Sequence, residues 1–158
     1  MAQLLLGLGS NLGDRAAHLE AALRAIHAQI GLCVNCSSFY ETMPWGFDSP
    51  HPFLNAVAEV ETQLSPLEVL RLTQHIEQTL GRTHKSINHR YHDRTIDLDL
   101  LAYDQLVMHT PELTLPHPHL HQRDFVLHPL QEVAPHWYHP LLHRTASQLW
   151  DAYNSQPQ

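Results

Sequence analysis

The chain has 158 residues, 43% of them hydrophobic, the length and composition of one folded domain rather than of a disordered chain. A formal net charge of -7 argues against nucleic acid as the main partner, because tracking a phosphate backbone needs a basic surface. There is no run of about 18 apolar residues. The start Met1-Ala2-Gln3-Leu4-Leu5-Leu6-Gly7 has neither a basic leader region nor a cleavage site, so a cytoplasmic location and no membrane association are expected.

Gln3 to Leu8 reads as a short buried strand, and Gly9 to Asp14 as a turn that opens a helix. Gly7-x-Gly9-x-x-x-Gly13 has the wrong spacing for a dinucleotide fingerprint, so a tight strand-to-helix turn is the better account. Leu19, Ala22, Leu23 and Ile26 keep helical spacing from Arg15 to Ile30, with Gly31 placed to end the helix. Cys33 to Glu41 is the next strand. Simple alternation puts Cys33 and Cys36 on opposite faces, which favours packing thiols in a reducing compartment over a redox or zinc pair.

Thr42 to Pro52 carries Pro44, Gly46, Pro50 and Pro52 and must be a loop. In the strand Phe53 to Glu61, Leu54, Ala56, Ala58 and Val60 share one face and Phe53, Asn55 and Val57 the other. Ser65-Pro66-Leu67-Glu68 is a helix start with a capping box, and that helix runs to about Leu80, with Gly81 ending it. Arg82 to Asp93 has no periodicity and reads as a polar loop. Ile96 to Tyr103 is a strand, followed by a turn at Asp104-Gln105 and a short return. Pro111 to His121 is irregular, Phe125 to Glu132 a short helix, and Thr145 to Tyr153 a helix near the end. The sum is a single α+β domain over residues 1–158, an antiparallel sheet backed by helices.

The chemistry concentrates in Arg94-Thr95-Ile96-Asp97-Leu98-Asp99-Leu100-Leu101. On a strand Asp97 and Asp99 point the same way from neighbouring rungs while Leu98 and Leu100 face the core. Carboxylates a few ångströms apart repel, and are tolerated where a hard cation sits between them. The bland alternative is a solvated strand face. Against it stand the apolar flanks and the cations Arg82, Lys85, Arg90 and Arg94, clustered in an otherwise acidic protein, with His117 and Arg123 further on. That set suits magnesium and a small polyphosphate.

Gly7-Leu8-Gly9-Ser10-Asn11-Leu12-Gly13-Asp14, Tyr40-Glu41-Thr42 with Pro44 and Gly46, Phe53-Leu54-Asn55, Leu80-Gly81-Arg82, the Asp97-x-Asp99 block, and Leu115-Pro116-His117-Pro118 with Arg123-Asp124-Phe125-Val126-Leu127 occur in this order. Over roughly residues 3–135 the chain resembles the 6-hydroxymethyl-7,8-dihydropterin pyrophosphokinases of the folate pathway. The resemblance implies a ferredoxin-like α+β fold and transfer of pyrophosphate from ATP to the pterin hydroxymethyl oxygen, leaving AMP. It implies two Mg2+ ions held with ATP by Asp97 and Asp99, catalysis by Arg82, Arg94, Asp97 and Asp99, and an ATP site lined by Gln74, Arg82, Arg94, His117 and Arg123. For the pterin it implies Thr42, Pro44, Trp45, Phe53, Asn55, Tyr91 and Phe125. A flat polar heterocycle wants aromatic faces, here Phe53 and Phe125, and an edge that can both donate and accept, here Asn55. A monomer is expected, with other folate-pathway enzymes as candidate partners.

The chain departs from the family pattern between Arg82 and Arg94. His84 stands where an arginine is usual and Tyr91 where a tryptophan is usual, so one permanent charge is lost and one aromatic face is smaller. A pterin- or nucleotide-binding paralogue without turnover is therefore one alternative. The other comes from the 15 histidines, of which His117, His119 and His121 invite a transition metal.

Overall fold

The computed structural model describes residues 1–44, 48–81 and 95–156. The chain runs β1 (Ala2–Ser10), α1 (Arg15–Gln29), β2 (Leu32–Cys36), β3 (Tyr40–Thr42), β4 (Phe53–Thr62), α2 (Pro66–Thr79), β5 (Asp97–Tyr103), β6 (Met108–His109), β7 (Thr114–Leu115), a 3₁₀ turn (Leu120–Gln122), α3 (Asp124–Val133), β8 (Tyr138–His139), β9 (Arg144–Thr145) and α4 (Ala146–Asn154). The main sheet has the order β2-β4-β1-β5, with β3 also pairing β4, and every pairing in it is antiparallel. With β2 and β3 counted as one interrupted strand, this is the βαββαβ order of a ferredoxin-like fold.

Strand alternation sorts the apolar residues into two cores. Leu4, Leu6 and Leu8 of β1, Ala56, Ala58 and Val60 of β4, and Leu98 and Leu100 of β5 meet Leu19, Ala22 and Ile26 of α1 and Val69 and Ile76 of α2. On the opposite face Leu5, Val57 and Leu101 meet Val126, Leu127 and Leu130 of α3 and Leu149 of α4. The Ser65 and Glu68 side chains close the expected reciprocal capping box on α2, and Thr145 and Gln148 form a second one on α4.

Several boundaries differ from expectation, each for a physical reason. β1 continues through Gly9 and Ser10, because the ladder to β4 extends to the Ser10–Leu54 pair; of the motif glycines only Gly13, at φ +68, makes the turn. The single strand expected over 33–41 is two, and Thr42 belongs to the second. Between them Ser37 folds in, its backbone N–H donating to Val57 O and its hydroxyl accepting from Val57 N–H at 2.9 Å. A register shift between Cys33 and Asn35 sets Cys33 opposite Val60 and Cys36 opposite Ala58, so both thiols face the first core rather than opposite sides. Burial raises both thiols, Cys36 to about 11 with further pushes from Cys33 and Glu132, which suits packing rather than reactivity. The return after Asp104-Gln105 pairs with β7 instead of β5, and the β8–β9 hairpin carries no alternation long enough to announce it.

Gly31 follows α1 with no left-handed turn; it is there for proximity, since a Cβ would land on the Glu61 carbonyl oxygen of β4. Backbone cannot yield as a side-chain tip can. Gly31→Ala is expected to destabilise by about 1–3 kcal/mol through forced separation of α1 from the sheet, read as a lowered midpoint in urea unfolding with an unchanged slope.

Candidate active site

The register along β1 builds the site. Gly9 pairs with Asn55 on one side and Asp97 on the other; Gly7 pairs with Val57 and Asp99. Paired residues share a face, so Asp97, Asp99 and Asn55 stand on the α3 side of the sheet around two rungs that carry no side chain. Leu5 and Leu101 fill that face lower down, and the glycines end the core where the polar groups begin. Gly9 must stay bare: a Cβ would lie 3.1 Å from Asn55 Oδ1 and 3.4 Å from the Phe53 ring.

Asn55 is buried, and its amide donates to the Thr42 hydroxyl at 2.6 Å. Thr42 pairs with Phe53 in the β3–β4 ladder, so Thr42, Phe53 and Asn55 form one patch beside Gly9. Phe125 enters from the first turn of α3, with the Arg123 guanidinium 5.4 Å from its ring centre. Arg123 is itself buried at the N-terminal end of that helix. Pro44 lies just past β3, half-buried.

His117 is placed by backbone, its N–H donating to Leu101 O at 2.9 Å. Its Nδ1 accepts the His119 N–H at 3.1 Å, which in the neutral ring leaves the proton on Nε2 as a donor. Burial first, then Arg123 and His119, push His117 down to about 4, with Asp97 pulling weakly the other way. The ring therefore lies within electrostatic reach of both Arg123 and Asp97, and is neutral at physiological pH. Gln74 is exposed on α2, one turn before Glu77. Trp45, Arg82, His84, Tyr91 and Arg94 lie outside the described residues, so the structure unites Asp97, Asp99, His117 and Arg123 with Thr42, Phe53, Asn55 and Phe125 and leaves those others unplaced.

Three further residues support this cleft. Glu77, buried on α2, accepts the backbone N–H of Leu98 at 2.8 Å, so a carboxylate ties that helix to the rung between the two aspartates. Its signal was present: with Val69, Thr73 and Ile76 it falls on the buried stripe, where a carboxylate is out of place without a partner. Asn11 donates to His51 O at 3.2 Å, and Arg15 donates to Pro52 O at 3.0 Å while pairing with Glu41 at 2.8 Å. These long-range ties fix both ends of the segment between β3 and β4, and local pattern could not announce them.

Among the described residues no group of three or more His, Cys, Asp and Glu side chains could hold a metal, so the 117–121 histidines form no transition-metal cluster there. His117 and His119 stand 6.0 Å apart between ring centres and His119 Nδ1 meets Gln122 Oε1 at 3.0 Å. The donor set does fit magnesium, a hard cation that takes few protein ligands: two carboxylates stand on one face of β5, opposite Gly9 and Gly7.

Residues 5–135 match the family model described as 7,8-dihydro-6-hydroxymethylpterin-pyrophosphokinase. The chain is 53% identical over 141 residues to the 2-amino-4-hydroxy-6-hydroxymethyldihydropteridine pyrophosphokinase of Porphyromonas gingivalis, covering 89% of this chain and 95% of that protein. To the Bacillus subtilis protein of the same name it is 43% identical over 130 residues, covering 82% and 76%. Among solved structures it superposes on an HPPK-DHPS in complex with substrates with a TM-score of 0.78 at 15% identity, covering 96% of this chain and 43% of that one. The wild-type Plasmodium falciparum HPPK-DHPS gives 0.78 at 17% identity, covering 96% and 44%. The longer chains share the fold with this one over under half their length, while the Porphyromonas relative matches it over 95% of its own length and the Bacillus one over 76%. The chain belongs to the 7,8-dihydro-6-hydroxymethylpterin-pyrophosphokinase family.

Proposed function

We propose that the protein transfers pyrophosphate from ATP to 6-hydroxymethyl-7,8-dihydropterin, forming the pterin diphosphate and AMP in folate biosynthesis. The observation that carries this reading is the register of β1, which sets Asp97 and Asp99 on one side of two bare glycine rungs and Asn55 on the other. A polyphosphate with its cations and a flat heterocycle thereby meet over one strand. The two free thiols accord with a reducing cytoplasm, and no helix of the described residues is long and apolar enough to cross a membrane. We take the enzyme to act as a monomer and as one domain.

Phe53 and Phe125 supply faces for the pterin ring, and Asn55, oriented by Thr42, reads its edge. The pterin hydroxymethyl oxygen forms a bond to the β-phosphorus of ATP, the α,β-bridging oxygen leaves with AMP, and the hydroxyl proton is released. Little covalent work falls to the protein; alignment and charge neutralisation are what it provides. Asp97 and Asp99 are the residues that would hold magnesium, which when bound neutralises phosphate charge and fixes its orientation. Arg123 adds positive charge that no working pH removes, and His117 donates from Nε2 to a phosphate or ribose oxygen without adding charge. Arg82 and Arg94 complete this set in the proposal, and Gln74 lies where the nucleoside would be met.

Purified protein with Mg-ATP should release AMP only when the pterin is present, and EDTA should stop it. AMP release that ignores the pterin would refute the assignment, and pterin binding with no AMP would establish a binding module instead. Asp97→Asn and Asp99→Asn should each lower kcat by roughly a hundred- to a thousandfold. The same variants should remain folded by circular dichroism, so that the loss of turnover reads the site and not the fold.

His117 gives a pH signature. With its folded value near 4 and its ordinary value near 6.5, the native state resists a proton that the unfolded chain accepts. The stability is full above about pH 6.5 and lost as pH falls toward 4, amounting to no more than about 3 kcal/mol. Unfolding free energies measured across that window should fall less steeply for His117→Asn than for the parent; parallel curves would show that His117 protonates freely in the folded state.

A further inference from the structure

We propose that His128 is a positioning residue for the pterin: wedged between Tyr40 of β3 and Trp150 of α4, it fixes how far Phe125 stands from Thr42 and Asn55. This rests on the reading of that patch as the pterin pocket. The His128 and Trp150 rings are stacked, 4.7 Å between centres and 1° from parallel. On the other side the Tyr40 ring lies 4.3 Å away at 38°, and Trp150 is stacked in turn on Tyr153 at 6.1 Å. Four rings from β3, α3 and α4 therefore form one column.

The column is anchored where the site is built. Tyr40 pairs in register with Asn55, two residues before Thr42. His128 is three residues after Phe125 on α3, so the two occupy the same helix flank, and Glu132 lies one turn further along it. Glu132 accepts the Tyr40 hydroxyl and the Ser38 N–H, each at 2.6 Å. The α3 flank is thus joined to β3 twice, by a ring contact at His128 and a charged hydrogen-bond pair at Glu132. Phe125 has no such bond of its own to the sheet among those seen; its place follows from the helix that carries it. A ring at position 128 holds the middle of α3 one ring contact from the first residue of β3, and Phe125, one turn earlier on that helix, takes its distance from Thr42 and Asn55 from that contact.

Most of the nucleotide side hangs on different supports, since Asp97, Asp99, Glu77 and His117 belong to β5, α2 and the segment held to Leu101; Arg123, at the head of α3, is the one group of that side that shares a helix with Phe125. Loss of the ring should therefore separate the two substrates. The test compares the parent with His128→Ala and His128→Phe. Titration calorimetry gives the affinity of 6-hydroxymethyl-7,8-dihydropterin and of a non-hydrolysable ATP analogue with magnesium, and the AMP assay gives KM and kcat. His128→Ala is expected to weaken pterin affinity, and raise its KM, by roughly tenfold, in the range of one lost aromatic contact, with a distinctly smaller loss of nucleotide affinity, which depends on α3 only through Arg123. His128→Phe restores a flat ring and should restore pterin affinity. Equal losses for both ligands, or failure of Phe to rescue where the protein is folded by circular dichroism, would leave only a structural role and overturn the proposal. Unchanged pterin affinity in His128→Ala would overturn it while leaving the pterin pocket standing. A parent that does not bind the pterin would overturn the pocket itself and the proposal with it.

Discussion

β1 is hydrogen-bonded to β4 on one side and β5 on the other, and packed on both faces, so each of its residues has its surroundings dictated four ways. Leu4, Leu6 and Leu8 answer to the helices α1 and α2; Leu5 answers to α3 and α4. On that second face the pattern then stops supplying side chains, with Gly7 and Gly9 where a second and third apolar residue would extend the core. A strand interior is a poor place for glycine, which loses backbone entropy and packs nothing. The strand tolerates it because its ladders on both sides are complete. Removing two side chains from the middle strand opens a floor whose walls are the residues paired with it, Asp97 and Asp99 to one side and Asn55 to the other.

Charge follows the same partition. The protein is acidic as a whole, yet its carboxylates at the cleft share it with Arg123, buried at the head of α3, and with a histidine that Arg123 helps to keep neutral. An uncharged imidazole beside a guanidinium offers a donor without enlarging the positive field, which leaves the field to be balanced by aspartates and by an incoming anion. Glu77 belongs to this balance differently. Its carboxylate is spent on the outward N–H of Leu98, on an edge strand whose ladder has no further partner among the described residues. It thereby holds the rung between the two aspartates without competing for what they bind.

What could be read from the sequence, and what could not, divides along range. The capping box at Ser65, the helix over Thr145 to Tyr153 and the alternation of β4 and β5 are local, and the structure follows them to within a residue or two. The Asp97-x-Asp99 face was legible for the same reason. The cysteines were not, because a single register shift in β2 reverses the parity on which their placement depended. β3 was hidden by its length: three residues pair with β4 because Asn55, Leu54 and Phe53 are already in place. Asn11 and Arg15 look like ordinary turn and helix residues until the chain returns 37 to 40 positions later to accept their hydrogen bonds. Glu77 was the one long-range feature with a local trace, a carboxylate on a buried stripe.

These supports also explain why the site sits at one end of the sheet and not across its middle. At the Leu5 end of the α3 face, Val57, Leu101, Leu127 and Leu130 pack over the sheet. At the Gly9 end α3 arrives by its first turn, with Arg123 and Phe125, ahead of its apolar residues Val126, Leu127 and Leu130. Two close carboxylates, two glycines in a strand and a buried guanidinium each work against the folded state. They can be gathered in one place only because the other end of both layers is packed without them. Stability is made at the Leu5 end, and at the Gly9 end part of it is given up to leave open a cleft whose groups are complementary to an anion, a cation and a flat ring.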